Sequence, residues 1–111
     1  MAHIEFAKGI KEDVVPEIKL TRAPDGSSGT ATFRFDSPNA FSKDNKEEIT
    51  GMYMIDSEGE LVTRDVKGKF VNGLAKAIEV VYIMTSSGEW DRFMRFMERY
   101  AKDNGLEFRK S

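Results

Sequence analysis

Between Glu17 and Met84 the chain consists of short segments that alternate apolar and polar residues, separated by clusters of turn-forming residues. Alternation at period two puts one set of side chains on each face of a strand, so the pattern commits the chain to antiparallel hairpins. Residues 17–22 place Ile18 and Leu20 on one face. Residues 23–29, Ala-Pro-Asp-Gly-Ser-Ser-Gly, are dense in residues that fix φ or tolerate positive values. Residues 30–35 then resume the alternation, with Phe33 and Phe35 inward and Thr30, Thr32 and Arg34 outward. The two runs form a hairpin with a long, mobile tip. Residues 49–55 and 60–66 flank Asp56-Ser57-Glu58-Gly59, a second hairpin with glycine where a left-handed residue is wanted. Gly68 marks a bulge before Phe70 and Val71. Asn72-Gly73 is the strongest short hairpin signal, because both residues accept the positive φ of a type I′ turn. Its returning strand, residues 77–84, is apolar on both faces from Val80 to Met84, as in a strand that is central or covered from both sides. A short first strand around Ile4 and Phe6 ends near Gly9, and the polar stretch 36–48 reads as a loop with room for one helical turn.

The helix is delimited at both ends. Ser86-Ser87-Gly88-Glu89 matches a capping box, in which the serine accepts from a first-turn amide and the glutamate reaches back. Trp90, Phe93, Met94, Met97, Tyr100 and Ala101 share one arc of a 3.6-residue wheel, the pattern of a helix laid on a core. Asn104-Gly105 ends it, with Leu106 placed for the apolar contact of a Schellman stop. The expected fold is therefore α+β: an antiparallel sheet built from hairpins with a C-terminal amphipathic helix packed on it, forming a single domain over residues 1–111.

Residue types that perform chemistry are scarce. There is one histidine, His3, and no cysteine, so the common zinc patterns and disulfides are absent. His3 with Glu5 falls short of the roughly four converging donors a metal site needs, and a terminal, solvated imidazole is the expectation. The glycine-rich tip at 25–29 has no following helix and no Gly-Lys-Ser/Thr ending, so it is not a phosphate loop. Asp36 with Asp44, and Asp56 with Glu58 and Glu60, sit in turns, where carboxylates bond amides or face water rather than work as an acid–base pair. No catalytic, cofactor-binding or metal-binding residue is assigned. Seventeen basic against nineteen acidic residues are too balanced for a protein that coats polyanions. No apolar run approaches the roughly twenty residues needed to span a bilayer, and the opening Met-Ala-His-Ile-Glu-Phe lacks a charged-then-apolar leader pattern.

Two surfaces suit a binding role instead. Arg92, Arg95, Arg99 and Lys102 form a helical stripe interrupted by Asp91, Glu98 and Asp103. That argues against nucleic acid, while Phe96 beside the stripe makes a docking patch with Arg92 and Arg95, unless it packs against Leu106 or Phe108. The strand at 30–35 is uncharged apart from Arg34 and β-rich; as a sheet edge it would accept an extended peptide, with Thr30, Thr32 and Arg34 beside the partner. The alternative, that this strand is interior and paired on both sides, stays open at this level.

Three long segments carry a family likeness. Residues 21–35, TRAPDGSSGTATFRF, resemble a pattern LTRSxDGSTGTATFxF; residues 50–61, TGMYMIDSEGEL, resemble TGMYLIDEEGEL; residues 89–101, EWDRFMRFMERYA, match a segment of the same sequence. The family they resemble is the photosystem II reaction-centre protein numbered twenty-eight in the Psb series, also called the 13 kDa or W-like protein, of cyanobacterial type. The departures, Ala23-Pro24 in the hairpin tip and Ser87-Gly88 at the helix start, bear only on which paralogue this is. The resemblance implies a protein without enzymatic activity or bound cofactor, peripheral to the thylakoid membrane on its cytoplasmic (stromal) side and attached through protein. It further implies transient binding to photosystem II assembly intermediates. The partners are the C-terminal tail of the 47 kDa inner antenna protein and the cytoplasmic loops of the reaction-centre subunits. The implied roles are assisting biogenesis of chlorophyll-binding subunits and protecting the immature acceptor side. The competing expectation is a small-molecule, for instance pigment, carrier, which requires a concave pocket with convergent polar groups.

Overall fold

The computed structural model describes residues 2–42 and 48–106. Its elements run β1 (His3–Ala7), β2 (Ile10–Glu12), β3 (Glu17–Arg22), β4 (Gly29–Asp36), a single 3₁₀ turn (Asn39–Phe41), β5 (Met52–Asp56), β6 (Gly59–Thr63), β7 (Val66–Val71), β8 (Leu74–Met84) and α1 (Ser87–Asn104). Asp44 and Phe108 lie outside the described residues. The α+β class, the antiparallel hairpins and the C-terminal helix are as the sequence indicates. The strands, however, divide between two four-stranded sheets, ordered β2-β1-β5-β6 and β3-β4-β8-β7.

The division has a local cause. The run 60–66 is not one strand: it breaks at Arg64-Asp65, where Thr63 Oγ1 donates to the Val81 carbonyl at 2.7 Å and accepts the Asp65 amide at 3.2 Å. The Val81 amide in turn reaches the Asp65 carbonyl at 3.0 Å. These bonds pin the end of β6 to β8 and deliver the chain from one sheet into the other. The first strand is likewise a hairpin, because β1 turns at Lys8-Gly9 and returns as β2, with Glu5 Oε1 accepting the Gly9 amide at 2.8 Å. Three residues of β2 are too few to show a period in sequence.

The β7–β8 turn is made by Asn72 (φ 52°) and Gly73 (φ 78°), as its dipeptide requires. The ladder slips between Lys69 and Phe70, one residue past Gly68, and β8 starts at Leu74 rather than at Ala77. β8 is central, between β4 and β7, although Ile83 on its outer face is 61% exposed. The tip at 23–28 is held by its own bonds, with Asp25 Oδ1 accepting the Ser27 amide at 2.9 Å and its hydroxyl at 2.6 Å.

Phe6 of one sheet meets Phe35 of the other edge-to-face at 4.9 Å, and Phe93 of α1 approaches Phe33 at 6.1 Å and Tyr82 at 5.5 Å. One core thus joins both sheets and the helix, with Ile4, Met52, Met54, Ile78, Val80, Met84 and Met97 fully buried in it. Ser86 caps α1 by accepting the Glu89 amide at 3.1 Å, and Glu89 reaches back to Thr85, to its amide at 3.3 Å and its hydroxyl at 2.8 Å. Gly105, at φ 66°, closes the helix, and the Leu106 amide returns to the Ala101 carbonyl at 2.9 Å, the long bond of a Schellman stop.

The neighbours of β4 correct one expectation. β4 pairs with β3 from Gly29 to Arg34 and with β8 from Gly29 to Asp36, so residues 30–34 are paired on both sides and, with Phe35 buried beyond them, the strand is not a sheet edge. The open edges of this sheet are β3 and β7.

Candidate partner interface

Thr30, Thr32 and Arg34 still share a surface, because alternate residues of β4 point away from the buried Ala31, Phe33 and Phe35. Register places Thr21 opposite Thr30, Lys19 opposite Thr32 and Glu17 opposite Arg34 on β3; on β8 it places Ile83, Val81 and Glu79 opposite the same three. Glu17, Lys19, Thr32, Arg34 and Glu79 line a hollow of about 130 Å³ on this face. Arg34 holds Asp36 at 3.0 Å and Glu79 at 2.9 Å, and Lys69 meets the other oxygen of Glu79 at 3.2 Å. Lys69 first, then Arg34, keep the Glu79 carboxyl below its usual range, and Asp36 raises the Arg34 guanidinium further. The face therefore carries permanent charges of both signs beside threonine hydroxyls and one exposed isoleucine. That mixture offers hydrogen-bonding groups and apolar surface side by side, and the residues named on this face include no nucleophile–base pair.

The other expected patch is not assembled. Phe96 has no exposed surface and stacks on Tyr100 with ring centroids 5.6 Å apart, so it belongs to the core and is not a docking anchor. The helix lies against β5 of one sheet and β8 of the other, which widens its buried arc beyond the stripe read from the wheel. Arg92 and Arg95 are bound within the molecule. Arg92 takes Asp56 in a two-pronged grip at 2.7 and 2.9 Å, Arg95 holds Glu58 at 2.9 Å, and Arg99 reaches Asp56 at 2.9 Å and Glu58 at 2.6 Å. Burial pushes the Asp56 carboxyl up, yet the bonds from Arg92 and Arg99 outweigh it and leave it below its ordinary value. Arg95 and then Arg99 hold Glu58 down at about 2. Guanidinium groups so committed are poor ligands for an external phosphate.

His3 is not a loose terminal group. It lies in β1 with Nε2 2.7 Å from Glu5 Oε2. Among the described residues no three His, Cys, Asp or Glu side chains converge as a metal would need. No helix among them is long and apolar enough to cross a membrane.

A family model described as Psb28 protein matches residues 4–108. The chain belongs to the Psb28 family. It is 60% identical over 111 residues to a protein of Crocosphaera subtropica and 61% identical over 111 residues to one of Gloeothece citriformis, with the whole of each chain covered in both cases. It is 59% identical over 113 residues to a protein of Guillardia theta, covering all of this chain and 97% of that one. All three relatives are named photosystem II reaction center Psb28 protein.

In this Psb28 chain, the feature that sequence reasoning missed is the arginine–carboxylate cluster. Its halves are visible separately, as acids two apart in the 56–59 turn and arginines three and four apart on the helix. Their meeting is not, because 36 residues separate Asp56 from Arg92 and 43 separate Asp56 from Arg99. Glu12 was also passed over. It is buried and accepts the amides of Asn39 and Ala40, each at 2.9 Å, anchoring the 3₁₀ turn to β2.

Proposed function

We propose that this chain is a photosystem II assembly factor that works by holding, not transforming, its partner. It joins an intermediate containing the 47 kDa inner antenna protein, peripherally on the cytoplasmic face of the thylakoid membrane. There it takes the antenna's C-terminal tail as an added strand and contacts reaction-centre loops. In this way it supports biogenesis of the chlorophyll-binding subunits and shields the immature acceptor side. Family membership and the relatives' names support the photosystem II association. The observation that carries the strand-addition reading is the outer edge of β3. Its ladder to β4 runs through six consecutive pairs without a slip, whereas β7, at the opposite edge, is interrupted by a register shift. A regular edge is a template for another strand; an irregular one resists it. A peptide along β3 would lie beside the hollow that contains Thr32 and Arg34, with Thr30 and Ile83 further along the same face.

The test is co-purification of this chain with intermediates whose antenna protein lacks its last several residues, together with amine cross-linking. Strand addition on β3 predicts loss of recovery and cross-links through Lys19 rather than Lys67. Unchanged recovery overturns it.

A further inference from the structure

Of the tight turns among the described residues, one is built unlike the others. The tips at Lys8-Gly9, Asp25-Gly26-Ser27 and Ser57-Glu58 are polar, as turns that only reverse the chain are. The β7–β8 tip instead carries Phe70, 65% exposed, Val71, 54% exposed, and Leu74, 61% exposed, around Asn72-Gly73. Phe70 lies back across Gly68, where an added Cβ would meet its ring at 3.1 Å. The charged residues between 66 and 77 are Lys67, Lys69 and Lys76, with no acid among them; Lys69 is taken up by Glu79 of β8 at 3.2 Å, so Lys67 and Lys76 carry the basic character of the tip.

We propose that this hairpin tip inserts into the headgroup region of an anionic lipid bilayer, Phe70, Val71 and Leu74 entering the interface and Lys67 and Lys76 engaging lipid phosphate. Two observations select a bilayer over a protein groove. Phe70 and Val71 are consecutive strand residues, so their side chains leave opposite faces of the hairpin, and both are more than half exposed. An apolar collar on both faces of a projecting turn is satisfied by a medium that surrounds it, whereas a groove on a partner covers one face. Lys67 and Lys76 complement a negatively charged surface, the same pairing of apolar and basic residues by which interfacial segments bind anionic membranes. The tip belongs to the hairpin whose edge strand, β7, lies across the sheet from β3, so lipid contact and a strand added on β3 are compatible.

The experiment is flotation of the full chain with liposomes of phosphatidylcholine alone and of equal parts phosphatidylcholine and phosphatidylglycerol, containing no protein. The expected result is retention on the anionic vesicles only, falling at high salt. Recovery should drop about tenfold in the double variant Phe70→Ser, Leu74→Ser, and several-fold in Lys67→Gln, Lys76→Gln. Both variants change exposed side chains, and an unchanged Tm verifies that they fold. Absence of wild-type retention on anionic vesicles, or equal retention of wild type and the Phe70/Leu74 variant, overturns the proposal. Loss of photosystem II particle binding by that variant in detergent, with no vesicle binding by wild type, would identify the tip as a protein contact instead. The vesicles hold no photosystem subunit, so this outcome is independent of the assembly-factor reading.

Discussion

Arg92 closes on Asp56 with two parallel hydrogen bonds, and the Asp56 side chain has no solvent exposure while that of Arg92 retains 18%. The pair clamps the start of the helix to the β5–β6 hairpin. Arg92→Ala leaves a buried carboxylate with only Arg99 to balance it. Removing one partner of a buried pair costs about 3 kcal/mol or more, which for a domain of this size lowers Tm by on the order of 10 °C. Thermal unfolding followed by circular dichroism checks it; a shift of only a degree or two would show the clamp to be ornamental.

Phe96→Ala removes a fully buried ring that stacks on Tyr100. Truncations of this kind cost about 3–5 kcal/mol. Denaturant titration should register a loss in that range. A variant that unfolds like wild type yet loses its partner would restore the docking role that burial denies to Phe96.

Glu58 gives the fold an acid-sensitive element. Its folded-state pKa, about 2, lies below the ordinary 4.5, so folding favours the ionised form. The stabilisation is complete above 4.5 and is lost as pH falls towards about 2. Asp56, displaced in the same direction, adds to the loss. The Tm difference between wild type and Glu58→Gln should be greatest at neutral pH and close across that interval. A difference that stays constant with pH would disprove the coupling.

Gly29 is required by its neighbour. A Cβ there would overlap the Trp90 ring and sit 3.1 Å from the Thr21 carbonyl oxygen. The indole is also held by Arg22, whose guanidinium carbon lies 4.9 Å from the ring centroid, and has little freedom to move aside. Gly29→Ala should destabilise by about 1–3 kcal/mol, the range for overpacking, and shift the tryptophan emission as the ring is displaced. An unaltered spectrum and midpoint would contradict this packing.

What the sequence determined by itself is short in range. Asn72-Gly73, Ser86 with Glu89, and Gly105 with Leu106 each specify a turn or a helix end through bonds within about five residues, so composition and spacing are enough to read them. What only the tertiary structure decided involves distant neighbours. The alternation of residues 30–35 says which way Thr32 and Phe33 point, but not that β3 and β8 flank them. The wheel shows that Phe96 borders the apolar arc, but not that two sheets widen that arc to enclose it. The Thr63–Val81 bond that passes the chain between sheets, and the helix arginines' choice of Asp56 and Glu58, depend on segments 18 or more residues apart. Period and turn chemistry act along the chain; packing and charge pairing act across space, and a local pattern carries no record of which partner arrives.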